Sequence, residues 1–324
     1  MRLRLVVLRL RSLALPLPTG RGAGGRAVPL LLALLLAACA TTPDAPSARV
    51  TRTVPIVFLE GQPQRPFVEL RVGESVGWFL LDTGAAGNVM SDWFFQSAFP
   101  GRRLEGGRGV AVDFAGVPIP TTIVRGVDVT WADGRSSRVT MAVGPFSRVG
   151  DADGLAGVLS PQRLLESGGG VELDFLGRAL RWWDHPRAHG SYYSVDQRTL
   201  LRCAASTDGA PIFSWATAVD GEPVWAMMDS GSPVTAVSSE HPTGQRLLPR
   251  SRPIESGRGA SNAPLVARAA PAEVHFAGMP WVGSVAVLKL PLVECNTAAL
   301  IGMNILKRCS VLLTPGWGSV ACVP

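Results

Sequence analysis

The chain repeats itself, and the repeat limits what it can fold into. Trp78-Phe79-Leu80-Leu81-Asp82-Thr83-Gly84 returns as Trp225-Ala226-Met227-Met228-Asp229-Ser230-Gly231, 147 residues on. Arg52-Thr53 returns as Arg198-Thr199 after 146 residues, and Gly154-Leu155-Ala156-Gly157 finds a counterpart in Ala299-Leu300-Ile301-Gly302 after 145. Three landmarks in one order at nearly one spacing imply two similar lobes. They are placed at 52–187 and 188–324, with the polar, turn-rich stretch from Asp184-His185-Pro186 to Gly190-Ser191 at their junction. The length of 324 residues fits two modest domains, at roughly 100–200 residues each.

Each lobe reads as β. Phe67-Val68-Glu69-Leu70-Arg71-Val72 alternates at the strand period of two, and Arg138-Val139-Thr140-Met141-Ala142-Val143 does so more loosely. Asp133-Gly134, Asp220-Gly221 and Pro315-Gly316 punctuate such runs as turns. The 36 glycines and 26 prolines, with 47% hydrophobic and 17% charged residues, suit many short strands. They exclude a disordered chain, a coiled coil and a small disulfide scaffold. Helical signals are few: Ser160-Pro161 opens a short helix over Gln162–Glu166. The expectation is an all-β protein of two similar β-barrel lobes, with one small helix in each.

A net charge of +6 would suggest a nucleic-acid partner if it were spread over the lobes. It is not. Residues 1–38 hold Arg2, Arg4, Arg9, Arg11, Arg21 and Arg26 and no acid, which leaves 25 basic and 25 acidic side chains in the rest. This Arg-rich start runs into eleven apolar residues, Val28 to Ala38, too few to span a bilayer and suited to a signal-peptide core. Leu36-Ala37-Ala38-Cys39 resembles a bacterial lipobox, in which the cysteine is acylated and becomes the first residue. On that reading 1–38 is a leader, Cys39 is the lipidation site and 39–51 is a flexible tether. Ala40 after the cysteine fits passage to the outer membrane. The lobes would then face an oxidising compartment. Cys203, Cys295, Cys309 and Cys322 allow three pairings, and a hairpin at Pro315-Gly316 favours Cys309 with Cys322.

Alone, an Asp-Thr/Ser-Gly is an ordinary turn. Here each follows an apolar run, so each aspartate leaves a buried strand, and a hydrophobic-hydrophobic-Gly element comes about 70 residues later. This set resembles the pepsin and retropepsin class of aspartic proteases. Leu81-Asp82-Thr83-Gly84-Ala85-Ala86-Gly87-Asn88-Val89-Met90 and Leu300-Ile301-Gly302-Met303-Asn304 are most similar to the retropepsin form. The resemblance covers nearly the whole chain after the tether. It implies retropepsin-like lobes with the active site in the cleft between them and Asp82 and Asp229 as the catalytic pair. Thr83 and Ser230 would grip each other across the lobes, and Gly84 and Gly231 would let the carboxylates approach. Ala156 is small for its place, and the tyrosines, Tyr192 and Tyr193, sit in the connector rather than in a flap. Gly106-Gly107-Arg108-Gly109 and Gly257-Arg258-Gly259 stand where retropepsin lobes carry glycine-rich flaps, and read equally well as mobile loops.

Two adjacent carboxyls cannot both ionise cheaply, so such a pair shares one proton. The ionised member can act as general base on a water while the protonated one polarises a carbonyl. Competing chemistries lack their residues. There is no H-E-x-x-H and no G-x-S-x-G, and His185 and His189 are separated by Pro186. Gly20 to Gly25 follows no strand, and Trp182-Trp183 reads as packing. The expected function is a monomeric, membrane-tethered aspartic endopeptidase acting on an extended polypeptide, without cofactor, metal or nucleic acid. The other reading is a lipoprotein that keeps the fold and binds peptides or a partner without cleaving them. One asymmetry bears on pH: Ala85 follows the first Asp-Thr-Gly and Ser232 the second Asp-Ser-Gly. A Ser232 hydroxyl donating to Asp229 would favour its ionised form and leave Asp82 as the proton holder.

Overall fold

Apolar side chains at every second position bury one face of most strands, and the runs before the two aspartates are buried on both. The computed structural model describes residues 47–113, 115–146, 155–165, 169–187, 200–201, 212–254, 259, 263–290 and 297–323. The first half holds β1 (Arg49–Pro55), β2 (Phe67–Val72), β3 (Ser75–Leu81), β4 (Val89–Ser91) and β5 (Gly107–Val112). It continues with β6 (Pro118–Trp131), β7 (Ser136–Gly144), β8 (Leu155–Leu159), β9 (Gly169–Asp174) and β10 (Ala179–Asp184). The second half holds β11 (Leu200–Leu201), β12 (Ile212–Val219), β13 (Glu222–Met228), β14 (Ala236–Ser238) and β15 (Arg252–Ile254). It ends with β16 (Ala267–Phe276), β17 (Met279–Leu288), β18 (Ala299–Ile301), β19 (Cys309–Leu313) and β20 (Gly318–Cys322).

Two closed sheets result. One runs β2-β3-β8-β4-β7-β6-β5 and closes through β2 and β6. The other runs β12-β13-β18-β14-β17-β16-β15, with β11 beside β12, and closes through β12 and β16. The orders match strand for strand, so the protein is all-β and built of two similar barrel-like lobes. A third sheet, β1-β10-β9-β19-β20, joins them, with Asp174 of β9 opposite Ser310 of β19. Buried Glu172 in that sheet accepts from Ser310 Oγ at 2.6 Å across the lobe boundary and from Trp183 Nε1 at 2.8 Å. Arg52 of β1 lies 5.0 and 4.6 Å from the Trp131 and Trp182 rings and forks onto Asp133 at 2.7 and 2.8 Å. The fork holds Asp133 below the ordinary carboxylate range and fastens the third sheet to the first barrel.

The register of the repeat differs from the one read in the sequence. The ladders set Val158 and Leu159 opposite Leu80 and Leu81, just as Leu300 and Ile301 stand opposite Met227 and Met228. The counterpart of Gly302 is therefore Ser160, not Gly157, and the offset there is 142 residues. Gly157 answers another need: a Cβ on it would lie 2.1 Å from the Val89 carbonyl oxygen. Ala156 lies against Gly77, where an added Cβ would come within 2.6 Å of the Ala156 Cβ, so Gly77 has no room for a side chain.

β1 begins at Arg49, inside the 39–51 stretch expected as tether. Cys39, residues 1–38, the part of the connector beyond Arg187, Cys203 and Cys295 lie outside the described residues. The expected helix after Ser160 is a single 3-10 turn, Pro161–Leu164, without a Ser160 side-chain cap. Two helices were not expected: Asp92–Ala98, which buries Phe94, Phe95 and Ala98, and Pro242–Leu247, capped by His241. A last short turn, Met303–Leu306, follows Gly302.

The hairpin expected at Pro315-Gly316 is formed by β19 and β20, and it sets Cys309 opposite Cys322, joined as a disulfide. The link closes a loop with a sequence separation of 13. Replacing both cysteines by alanine is expected to lower the unfolding free energy by about 3 kcal/mol, mainly by freeing the unfolded chain. Guanidinium denaturation measures this, and an unchanged midpoint would contradict it.

Candidate active site

β3 and β13 each end at an aspartate. The Asp82 N–H donates to the Leu159 carbonyl at 2.9 Å and the Asp229 N–H to the Ile301 carbonyl at 3.0 Å, so each ladder runs on into its loop. Side chains alternate along β3: Phe79 and Leu81 enter the main core, while Leu80 joins a second cluster with Phe67, Leu155 and Val158. Continuing that alternation turns Asp82 to the side of Leu80, away from the main core.

Thr83 and Ser230 hold the two loops together by reciprocal bonds. Thr83 Oγ1 donates to the Met228 carbonyl at 2.8 Å and accepts the Ser230 N–H at 3.0 Å. Ser230 Oγ donates to the Leu81 carbonyl at 2.7 Å and accepts the Thr83 N–H at 3.0 Å. Both side chains are buried, so each hydroxyl satisfies two backbone groups that water cannot reach.

The grip brings the carboxyl groups of Asp82 and Asp229 into hydrogen-bonding contact. Both loops are short of space for a side chain, the second more so than the first. A Cβ on Gly231 would lie 2.6 Å from Asp82 Oδ2, and one on Gly84 would lie 3.0 Å from Asp229 Cγ. The need is for space rather than for an unusual backbone angle, since neither glycine has a positive φ.

Burial pushes both carboxyls above the ordinary aspartate value. Asp229 is pushed further, because the negative charge of Asp82 adds to its burial. Asp82 is held back by the Gly84 N–H, which donates to its Oδ1 at 2.7 Å, and by its bond from Asp229. The direction of the push on Asp229 runs against the expectation that its ionised form is favoured by the hydroxyl of Ser232. That residue's hydroxyl donates to the Val234 carbonyl at 2.8 Å, and only its N–H reaches Asp229 Oδ1, at 3.0 Å. Ala85 and Ser232 thus differ little in what they offer the carboxyls, because both act through the backbone.

A supporting set of polar side chains escaped the sequence reading. Asn88 Oδ1 accepts the Ser160 N–H at 3.0 Å, and Thr235 Oγ1 accepts the Gly302 N–H at 3.1 Å, at matching places in the lobes. Gln162 Nε2 donates to the Thr83 carbonyl at 2.6 Å, and Asn304 Oδ1 accepts the Thr235 N–H and hydroxyl at 2.8 and 2.9 Å. The signal was present: Asn88 and Thr235 both stand six residues after their aspartates.

Gly106 to Gly109 does not form a hairpin tip; Gly107 and the residues after it are strand β5. The tip of the hairpin it makes with β6 lies between Asp113 and Val117, where Asp113 Oδ1 accepts the N–H groups of Ala115 and Val117 at 3.0 and 2.8 Å. Of the second glycine cluster only Gly259 is described, and a Cβ on it would lie 2.3 Å from Asp113 Oδ2. A hairpin of one lobe thus touches a loop of the other. No family model and no curated protein matches this chain in sequence.

Proposed function

We propose that the protein is an aspartic endopeptidase of the pepsin and retropepsin class, with Asp82 and Asp229 as its catalytic pair. The observation that carries this reading is the pair itself: two carboxyls from matching loops in hydrogen-bonding contact, held by a reciprocal Thr83–Ser230 grip. A protein that only binds peptides gains nothing from forcing two carboxyls together against their charge.

The polypeptide lies across the junction of the lobes, with a water between its scissile carbonyl and the pair. Asp82, ionised, takes a proton from the water as the oxygen attacks the carbonyl carbon, and Asp229 gives its proton to the carbonyl oxygen. The tetrahedral intermediate then breaks its C–N bond. Asp82 passes its proton to the leaving amine, and Asp229 recovers its own from the collapsing hydroxyl. Each turnover returns the pair to one proton, with no group required beyond the chain and the substrate water. Because Asp229 holds its proton well above the ordinary carboxylate range, activity extends beyond strong acid toward milder pH. Incubating the purified protein with a complex peptide mixture and reading new termini by mass spectrometry tests the assignment. A mixture left intact from pH 3 to 7 would sink it.

Cys39 is the proposed anchor, acylated at the bacterial cell envelope with the outer membrane favoured. No helix among the described residues is long and apolar enough to cross a membrane. Two or more buried acyl chains give stable attachment where one does not. Cys39→Ala should move the protein from the membrane fraction to the soluble one. Retention of that variant in the membrane fraction would contradict the anchor.

A further inference from the structure

Four hydrogen-bonding groups lie in sequence behind Asp82. Ser160 Oγ donates to Gln162 Oε1 at 3.0 Å, and Gln162 Nε2 donates to the Thr83 carbonyl at 2.6 Å. The peptide that carries this carbonyl ends in the Gly84 N–H, which donates to Asp82 Oδ1 at 2.7 Å. Every donor in this series points toward the carboxylate. Ser160, Gln162 and Thr83 are all buried, so water does not dilute the effect. A carbonyl that accepts a strong bond makes the N–H of the same peptide a better donor, and in a low-dielectric interior such chains strengthen one another.

The second lobe lacks this device. Asn304 stands three residues after Ile301, as Gln162 does after Leu159. Its oxygen takes the Thr235 N–H and hydroxyl, and among the described residues no side chain reaches the Ser230 carbonyl. Two lobes built from one repeat therefore treat their aspartates differently.

We propose that Gln162 is a positioning residue that polarises the Thr83–Gly84 peptide toward Asp82 and so makes Asp82 the ionised member, and hence the general base, of the pair. The inference rests on the protease reading for the word base, but not for the ionisation. Few other charges compete. β3, β4, β8, β14, β18 and the 83–88 and 230–235 loop segments hold no ionisable side chain. Glu222 at the far end of β13 pairs with Arg246 at 3.2 Å, and Arg163 Nε, beside Gln162, donates to the Ala86 carbonyl at 3.1 Å. Asp113 at the hairpin tip accepts two backbone N–H groups through one oxygen. The greater push on Asp229, from burial and the facing charge, runs in the same direction.

The test is Gln162→Met, which keeps volume and burial while removing the amide, with Ser160→Ala as a milder variant that removes only the first donor. Two quantities are followed: the acid limb of kcat/KM against pH, and the titration of the two aspartate carboxyl carbons by 13C NMR. In the unaltered protein the first proton lost should come mainly from Asp82. In Gln162→Met that ionisation should move upward by about 0.3 pH unit, the share of a charged hydrogen bond relayed through one peptide, and in Ser160→Ala by less. The acid limb should move with it. A residue with a merely structural role would lower kcat and thermal stability but leave the titration in place, and that result would overturn the proposal. So would first ionisation at Asp229 in the unaltered protein. The NMR titration reads the same whether or not the chain cleaves peptides, so absence of cleavage refutes the protease reading alone.

Discussion

Asp82→Asn and Asp229→Asn should each lower kcat/KM by roughly a thousandfold or more, on any peptide the unaltered protein cleaves. Each removes one half of an arrangement that works only as a pair. Without Asp82 no carboxylate takes the proton from water, and without Asp229 no acid protonates the carbonyl oxygen. The fold should survive, because an amide fills the same space and can still bond its neighbour. Stability should change in an opposite and diagnostic sense. Both carboxyls sit above their ordinary value in the folded protein, so they favour the fold most at low pH and oppose it as pH rises through the raised values. Asparagine never ionises. The variants should therefore match the unaltered protein near pH 3 and exceed it in thermal stability near pH 7, a gain in stability bought by loss of function. A variant that kept near-normal activity would end the assignment. One that lost activity and stability together at every pH would show that the loops had collapsed instead.

Much of this architecture was legible because the sequence states it twice. The runs Trp78–Leu81 and Trp225–Met228 are apolar at successive positions, their last three residues are buried on both faces of the strand, and two such runs before two aspartates imply two equivalent lobes. The hairpin carrying Cys309 and Cys322 was equally plain from its turn. The sheet that joins the lobes was not legible. Its central pairing sets Asp174 against Ser310, far apart in sequence, and nothing local in either strand names the other. The helix Asp92–Ala98 was missed because seven residues make barely two turns, too few for a helical period to stand out.

At the site, residue types were readable and directions were not. Gly157 looked like the glycine that ends the apolar pair, because the sequence does not reveal the Val89 carbonyl that presses on it from β4. The Ser232 hydroxyl was expected to serve Asp229, yet a carbonyl two residues away, that of Val234, is the nearer partner. Short polar side chains commonly prefer such local bonds, and only the folded loop decides between them. Gln162 carried no signal at all, since a lone glutamine after a proline is unremarkable until its amide meets the Thr83 carbonyl.

The loops also permit a graded test in which only one methyl group is added at a time. Alanine at position 231 would set its Cβ 2.6 Å from Asp82 Oδ2, closer than such atoms approach in folded proteins. Backbone on both sides is fixed by the Thr83–Ser230 grip, so the part that can yield is the Asp82 carboxylate itself. Displacing it by even an ångström removes it from line with the water, and misplacement of that size costs about a hundredfold in rate. Alanine at position 84 would meet Asp229 Cγ and Oδ1 at 3.0 and 3.1 Å, a tight contact that a few tenths of an ångström relieve. Its effect should be smaller. Alanine at position 87 in the same loop meets nothing within 4 Å and needs no unusual φ, so it should behave like the unaltered protein. The expected order of kcat is therefore Gly87→Ala, then Gly84→Ala, then Gly231→Ala, with the last lowest by about two orders of magnitude. Thermal denaturation of all three separates the explanations: if the methyl acts by displacing Asp82, rate falls along the series far more steeply than stability. If Gly231→Ala cleaved as fast as Gly87→Ala, the carboxylate could not be doing its work from the place the grip assigns to it.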